Sequence, residues 1–253
     1  MAPTTALTKV HERFVALQRG HQTAELVRKT FGSRGISEFD LERIQLPSGK
    51  STQWQVMGAN GTFSEISEIK CLIPAIRNDR GYWKDQYGKG PKSPPQCQSI
   101  DLVGQIEEMG IGDNGEGQGQ HLCATCKQNR FGTAHGGNPG KACREHWVVF
   151  LLRDGRESDV FPSVLFLTPG SLKVWRKYLT SLAGRGLAYD AVSHSLGLQP
   201  ARAAGGADYM MINPISGTAL SKEEAKMMEG YGKAIRQSFW GLTANSDDVS
   251  TED

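Results

Sequence analysis

Cys123-Ala-Thr-Cys126 is a Cys-x-x-Cys, a spacing that bends the chain so that two sulfurs can face one tetrahedral ion. Cys97 lies 26 positions before Cys123, and Cys143 lies 17 after Cys126. Four thiolates fill a tetrahedron and leave no open position, so the set suits a structural zinc rather than a catalytic one. The expected cofactor is one structural Zn2+ on Cys97, Cys123, Cys126 and Cys143. His146, in Cys143-Arg-Glu-His146, is a competing fourth ligand, and His121 and His135 are close in sequence. Cys97 is preferred because it stands in a Pro-Pro-Gln-Cys turn with no apolar neighbours, where a free thiol has no packing role. A redox Cys-x-x-Cys normally follows a strand and opens a helix, whereas here glycine-rich sequence flanks it. Cys71, in the apolar stretch EIKCLIPAI, reads as a small buried hydrophobe.

A second kind of chemistry is written in cations interleaved with aromatics. Arg77, Arg80, Tyr82, Trp83 and Lys84 form one cluster. Lys127, Arg130 and Phe131 form another, and Lys141, Arg144 and Trp147 a third. Cations follow a phosphate backbone and aromatic faces stack with bases at roughly 1–3 kcal/mol each, so such clusters suit single-stranded nucleic acid. Taken one at a time, each cluster has a plain alternative. Trp83 and Trp147 suit a core, and Arg80 suits an ion pair with Asp79 or Asp85.

Other motifs fail on inspection. Gly49-Lys50-Ser51 ends like a phosphate-binding loop, but Ile44 stands where its first glycine belongs. His135 to Ala142 lacks both that first glycine and the magnesium-binding hydroxyl. No His-x-Glu precedes the Cys-x-x-Cys, as a zinc deaminase requires. The acids show no cluster for two-metal phosphoryl chemistry.

The elements that position these residues follow from periodicity. Leu7, Val10, Phe14 and Leu17 have helical spacing, with Gly20 as a break, so one or two short helices are expected over 4–30. Residues 41–56 alternate around a PSGK turn and predict a β-hairpin. ISEIKCLIPAI predicts a strand running into the first cation cluster. Residues 84–145 are glycine-rich and poor in core residues, a segment that a metal could order. HWVVFLLR and FPSVLFL predict strands. SLKVWRKYLTSLAGRG predicts a helix with Ser171 as cap, an apolar face of Leu172, Trp175, Leu179 and Leu182, and an end at Gly184 or Gly186. AYDAVSHSLGL and ADYMMINP predict two more strands. Ser221 and Glu224 have capping-box spacing ahead of a terminal helix.

Five or six strands interrupted by one helix predict a β-rich α+β fold, an OB-fold-like small barrel with a zinc-binding loop insertion and flanking helices. The expected layout is a helical segment at 1–35, a barrel at 36–240 with the insertion at about 90–145, and an acidic disordered tail at 241–253. The chain has 253 residues, 38% of them hydrophobic, and no apolar run of the roughly 20 residues that would span a bilayer. It also lacks a secretory leader, so a cytoplasmic protein is expected. Net charge is +2, but the last seven residues hold four acids and no base. Residues 1–95 hold 14 Lys or Arg against 9 Asp or Glu. A basic body with an acidic tail is one arrangement of proteins that meet nucleic acid.

PPQCQSID, CATCKQNRFGTAHGG, GKACREHWVVFLL and FLTPGSLKVWRKYL occur in that order. The string resembles uncharacterised phage and mobile-element proteins that carry Pro-x-Cys-x-Ser, Cys-x-x-Cys-x-x-Asn-x-Phe-Gly and Gly-Lys-x-Cys blocks. The resemblance covers about 40–215 and implies Cys97, Cys123, Cys126 and Cys143, rather than His146, as ligands. In arrangement the chain also resembles phage zinc-containing OB-fold single-stranded-DNA-binding proteins, although its ligand order differs and its tail lacks a terminal aromatic. That likeness implies sequence-nonspecific binding of single-stranded DNA in replication or recombination, with replication or recombination proteins met through the tail. A nuclease with a structural zinc, using Asp79, Asp85 or Asp101, and a zinc-loop protein adaptor are the competing expectations.

Overall fold

The computed structural model describes residues 10–32, 36, 40–44, 46–47, 51–58, 60–84, 95–100, 107–137, 139–167, 169–202 and 208–239. The acidic tail, the PSGK glycine and lysine, Asp85 and Asp101 lie outside the described residues.

β8 (Cys143–Arg153) is the spine of the fold because it is apolar on both faces. Val148, Phe150 and Leu152 point to one side, and Trp147, Val149 and Leu151 to the other. β4 (Ile69–Tyr82) and β9 (Ser163–Leu167) flank it, both antiparallel. β1 (Arg43–Ile44) adds parallel to β9. β4 is long enough to serve two neighbours along its other edge. Its first half pairs with β10 (Val192–Arg202), and its second half with β5 (Cys97–Ile100). The register shifts between Leu72 and Ala75, around Pro74, whose ring nitrogen has no hydrogen to give the ladder. β6 (Met109–Asp113) and β7 (Gln118–Leu122) continue outward from β5, and β11 (Asp208–Ala219) pairs with β10.

The result is an open nine-stranded sheet among the described residues, which corrects the expectation of a closed barrel. The physical reason is the two-sided burial of β8 and its neighbours: a small barrel has one inner face, whereas these strands need a cover on each. After the short α1 (Val10–Arg13), Phe14 and the helices α2 (Val15–Arg19), α3 (Thr23–Phe31) and α5 (Lys222–Phe239) supply residues to the core on one face. α4 (Pro169–Gly184) and the hairpin of β2 (Trp54–Met57) and β3 (Phe63–Ile66) cover the other.

Several local expectations hold. Leu172, Trp175 and Leu182 of α4 are buried. Ser221 and Glu224 bond reciprocally, with the Glu224 amide donating to Ser221 Oγ at 3.2 Å and the Ser221 amide to Glu224 Oε2 at 2.9 Å. Cys71 is buried. Others are corrected. Ser171 is not the cap of α4 but lies inside its first turn, where its Oγ accepts the Ile212 amide at 3.2 Å. The hairpin runs over 54–66 rather than 41–56. Its turn is set by Gly61 at φ +77°, a conformation costly for other residues, with Asn60 Oδ1 accepting the Thr62 amide. Residues 97–100, 109–113 and 118–122 are strands rather than loop, because β5, β6 and β7 extend the sheet by backbone pairing that needs no apolar core.

Burying His146 has a measurable consequence. It lies on the α5 side of β8, 2% exposed, with Trp83 and Phe166 ring centroids at 6.5 and 6.4 Å. Burial, helped by the nearby Arg77 charge, pushes its pKa down to about 3. The unfolded chain takes up the proton below the ordinary 6.5, and the folded chain does not until about 3. Stability is therefore complete above pH 6.5 and is lost as pH falls toward 3. By pH 4.5 this one group should remove about 2–3 kcal/mol. Urea melts of wild type and His146→Leu at pH 7 and 4.5 check it. An unchanged pH dependence in the variant would rule the account out.

Candidate metal centre and nucleic-acid interface

Sheet register brings Cys97 and Cys143 to one face. Cys97 pairs with Tyr82 on one side of β4, and Cys143 pairs with Tyr82 on the other. Directly paired residues share a face. β7 then ends at Leu122, and the Cys123-to-Cys126 turn folds over the same place, with the Cys126 amide donating to Cys123 O at 3.4 Å. All four sulfurs line one cavity of about 10 Å³, room for roughly one water-sized sphere. All four cysteines are buried. Burial pushes the Cys97 thiol up to about 11 and the Cys143 thiol up to about 12, with Arg80 pulling Cys143 back.

Among the described residues no group of three or more Cys, His, Asp or Glu side chains stands in metal-holding geometry. β4 separates the strands of Cys97 and Cys143, so those backbones stand about two strand spacings, ~10 Å, apart. An ion would have to draw this sheet corner inward.

His146 takes no part, since alternation along β8 sends it to the opposite face from Cys143. His135 Nε2 lies 3.1 Å from Trp83 O, away from the sulfurs. His121 does line the cavity, and its Nε2 is 3.2 Å from Cys97 Sγ.

The first cation cluster is split by the same alternation. Arg77 and Asp79 point toward α5 and form a buried pair, Nη2 to Oδ2 at 2.6 Å. Arg80 and Tyr82 point the other way. Arg80 bonds Glu108 at 2.9 Å and lies 3.7 Å from Glu145. Tyr82 is buried between Cys97 and Cys143, and Trp83 packs on the α5-side core. Trp147 is buried with Arg176 over its ring at 5.7 Å. Arg77, Tyr82 and Trp147 are therefore not offered to a ligand. Lys84, Lys127 and Arg130 are exposed. Asp79, held by Arg77, is not free for a nuclease metal.

What remains converges on one place. Phe131 is 81% exposed, with Lys141 Nζ 4.9 Å from its ring centroid. It lines a groove of about 710 Å³ between the 131–143 segment and the first turns of α4. Six basic side chains border it, Arg80, Lys141, Arg144, Lys173, Arg176 and Lys177, against the single carboxylate of Glu145. Glu145 is already bonded to Arg176. Lys173 and Lys177 are exposed and have no ion-pair partner among the described residues.

The chain matches no family model, no curated protein and no solved structure.

The groove is thus this chain's own evidence. Sequence reading located Phe131, Lys141 and Arg144 but missed Lys173, Arg176 and Lys177. Their spacing of three and four was visible in SLKVWRKYL and places them on one helical stripe. Only the apolar stripe of that helix had been used. No helix among the described residues is long and apolar enough to cross a membrane.

Proposed function

We propose that this chain binds single-stranded DNA without sequence preference, as a phage-type or mobile-element protein acting in replication or recombination. The observation that carries the reading is the groove between α4 and the 131–143 segment, where an exposed phenylalanine stands among six basic side chains. Phe131 would stack with a base, and Lys141, Arg144, Lys173 and Lys177 would follow the phosphates. Backbone contacts of this kind carry no sequence information. An open groove with a flat aromatic wall suits unpaired bases better than a duplex, whose bases are already stacked.

Fluorescence anisotropy with labelled oligo-dT and with duplex DNA over a salt series tests it. If the four cations each meet one phosphate, log K against log salt falls with a slope of about −3. Duplex should bind more weakly at every salt concentration. Absence of a salt slope, or tighter binding to duplex, rejects the reading. Metal-dependent cleavage of the oligonucleotide would favour the nuclease reading instead, and a specific protein complex formed without DNA would favour the adaptor.

A further inference from the structure

Each of the four clustered sulfurs has its own polar or cationic neighbour. His121 Nε2 stands 3.2 Å from Cys97 Sγ. Asn114 Nδ2 lies 3.8 Å from Cys126 Sγ, within hydrogen-bond range for sulfur, and Asn114 is buried. Ser99 lies beside Cys123 but donates its hydroxyl proton to Glu108. The Arg80 guanidinium borders the cavity beside Cys143. Cys71 provides the contrast: it is equally buried but sits in the apolar core beneath α4, with no hydrogen bond to its sulfur among the described residues. Cysteines that only fill space need no donors. A ring of donors is what several sulfurs ionised at once require, because four thiolates around a divalent ion leave two uncompensated negative charges.

We propose that Cys97, Cys123, Cys126 and Cys143 hold one zinc ion, with His121, Asn114 and Arg80 as the polar shell around the four sulfurs. His121 is a positioning residue here, donating to a sulfur rather than binding the ion. Gly110 leaves the room for that contact. A Cβ on it would stand 2.7 Å from His121 Nε2 and 3.1 Å from Cys97 Sγ. Soft sulfur ligands in a closed tetrahedral set select zinc over calcium or magnesium. The site stands apart from the nucleic-acid reading, since its test uses no DNA. It touches the groove only through Arg80 and Cys143, which border both.

The test is metal analysis of the purified full chain after exhaustive dialysis, followed by exchange with cobalt. One zinc per chain is expected, and the cobalt form should show the intense visible bands of a tetrahedral site and the sulfur-to-metal absorption of four thiolates. Cys71→Ala should keep the full metal content. His121→Gln should keep one ion per chain yet release it faster to a chelator. Sub-stoichiometric zinc in the wild-type chain would overturn the proposal even if cysteine variants fail to fold. A cobalt spectrum of three sulfurs and one nitrogen, or iron in place of zinc, overturns the four-thiolate zinc assignment.

Discussion

Replacing Lys173 and Lys177 together by glutamate is expected to weaken binding of single-stranded oligonucleotide by about a hundredfold to a thousandfold near physiological salt. Both ammonium groups project from the same side of α4 into the groove and are exposed. Each reversal removes one attraction and adds one repulsion. Each of the four changes is worth about 1 kcal/mol for partly hydrated charges, or about 4 kcal/mol together. The salt slope should become shallower by about 1.4, since each lost phosphate contact on a single strand contributes about 0.7. Fold stability should change by less than about 1 kcal/mol, because neither lysine makes an ion pair among the described residues. Anisotropy titrations at three salt concentrations, with a thermal melt of each protein, provide the check. Unchanged affinity in a folded double variant would move the binding surface elsewhere.

The largest expected effect on stability lies beneath the groove. Asp79→Ala should destabilise the fold by about 3–5 kcal/mol, because it strands the Arg77 guanidinium in the core. Arg77 is 0% exposed and gives Asp79 three hydrogen bonds, Nε at 2.8 and 3.0 Å and Nη2 at 2.6 Å. The loss comes from the charge left behind rather than from the attraction removed, so a second substitution should restore much of it. Arg77→Met combined with Asp79→Leu, two apolar residues of similar bulk, should lie within about 2 kcal/mol of wild type. Chemical denaturation of Arg77→Met, Asp79→Leu and the double variant closes the cycle. A double variant as unstable as Asp79→Ala would mean that the pair's other contacts, not its charge balance, hold this part of β4.

Much of the local structure was legible in the chain. The helix at 169–184 and the strand in HWVVFLLR follow from apolar spacing, and the capping box at Ser221 and Glu224 from two residue types three apart. Cys97, Cys123, Cys126 and Cys143 line one cavity, and only pairing with Tyr82 on both edges of β4, which no sequence spacing records, brings Cys97 and Cys143 to one face. The cation clusters were legible only as composition. Arg77 and Arg80 look like neighbours in sequence, but a strand throws residues an odd number apart to opposite faces, so one goes into the core and the other toward the groove.

The amino-acid order alone determined the elements whose period of two or 3.6 apolar residues can be counted along the chain, such as β8, β9, α4 and α5, but not β5, β6 and β7, which carry no such pattern. Tertiary structure decided that the strands form an open sheet covered on both faces, and that α4 lies across from Phe131 with Lys173 and Lys177 turned into the gap. Those outcomes depend on pairing between segments far apart in the chain. Local pattern carries no information about which distant partner buries a given face.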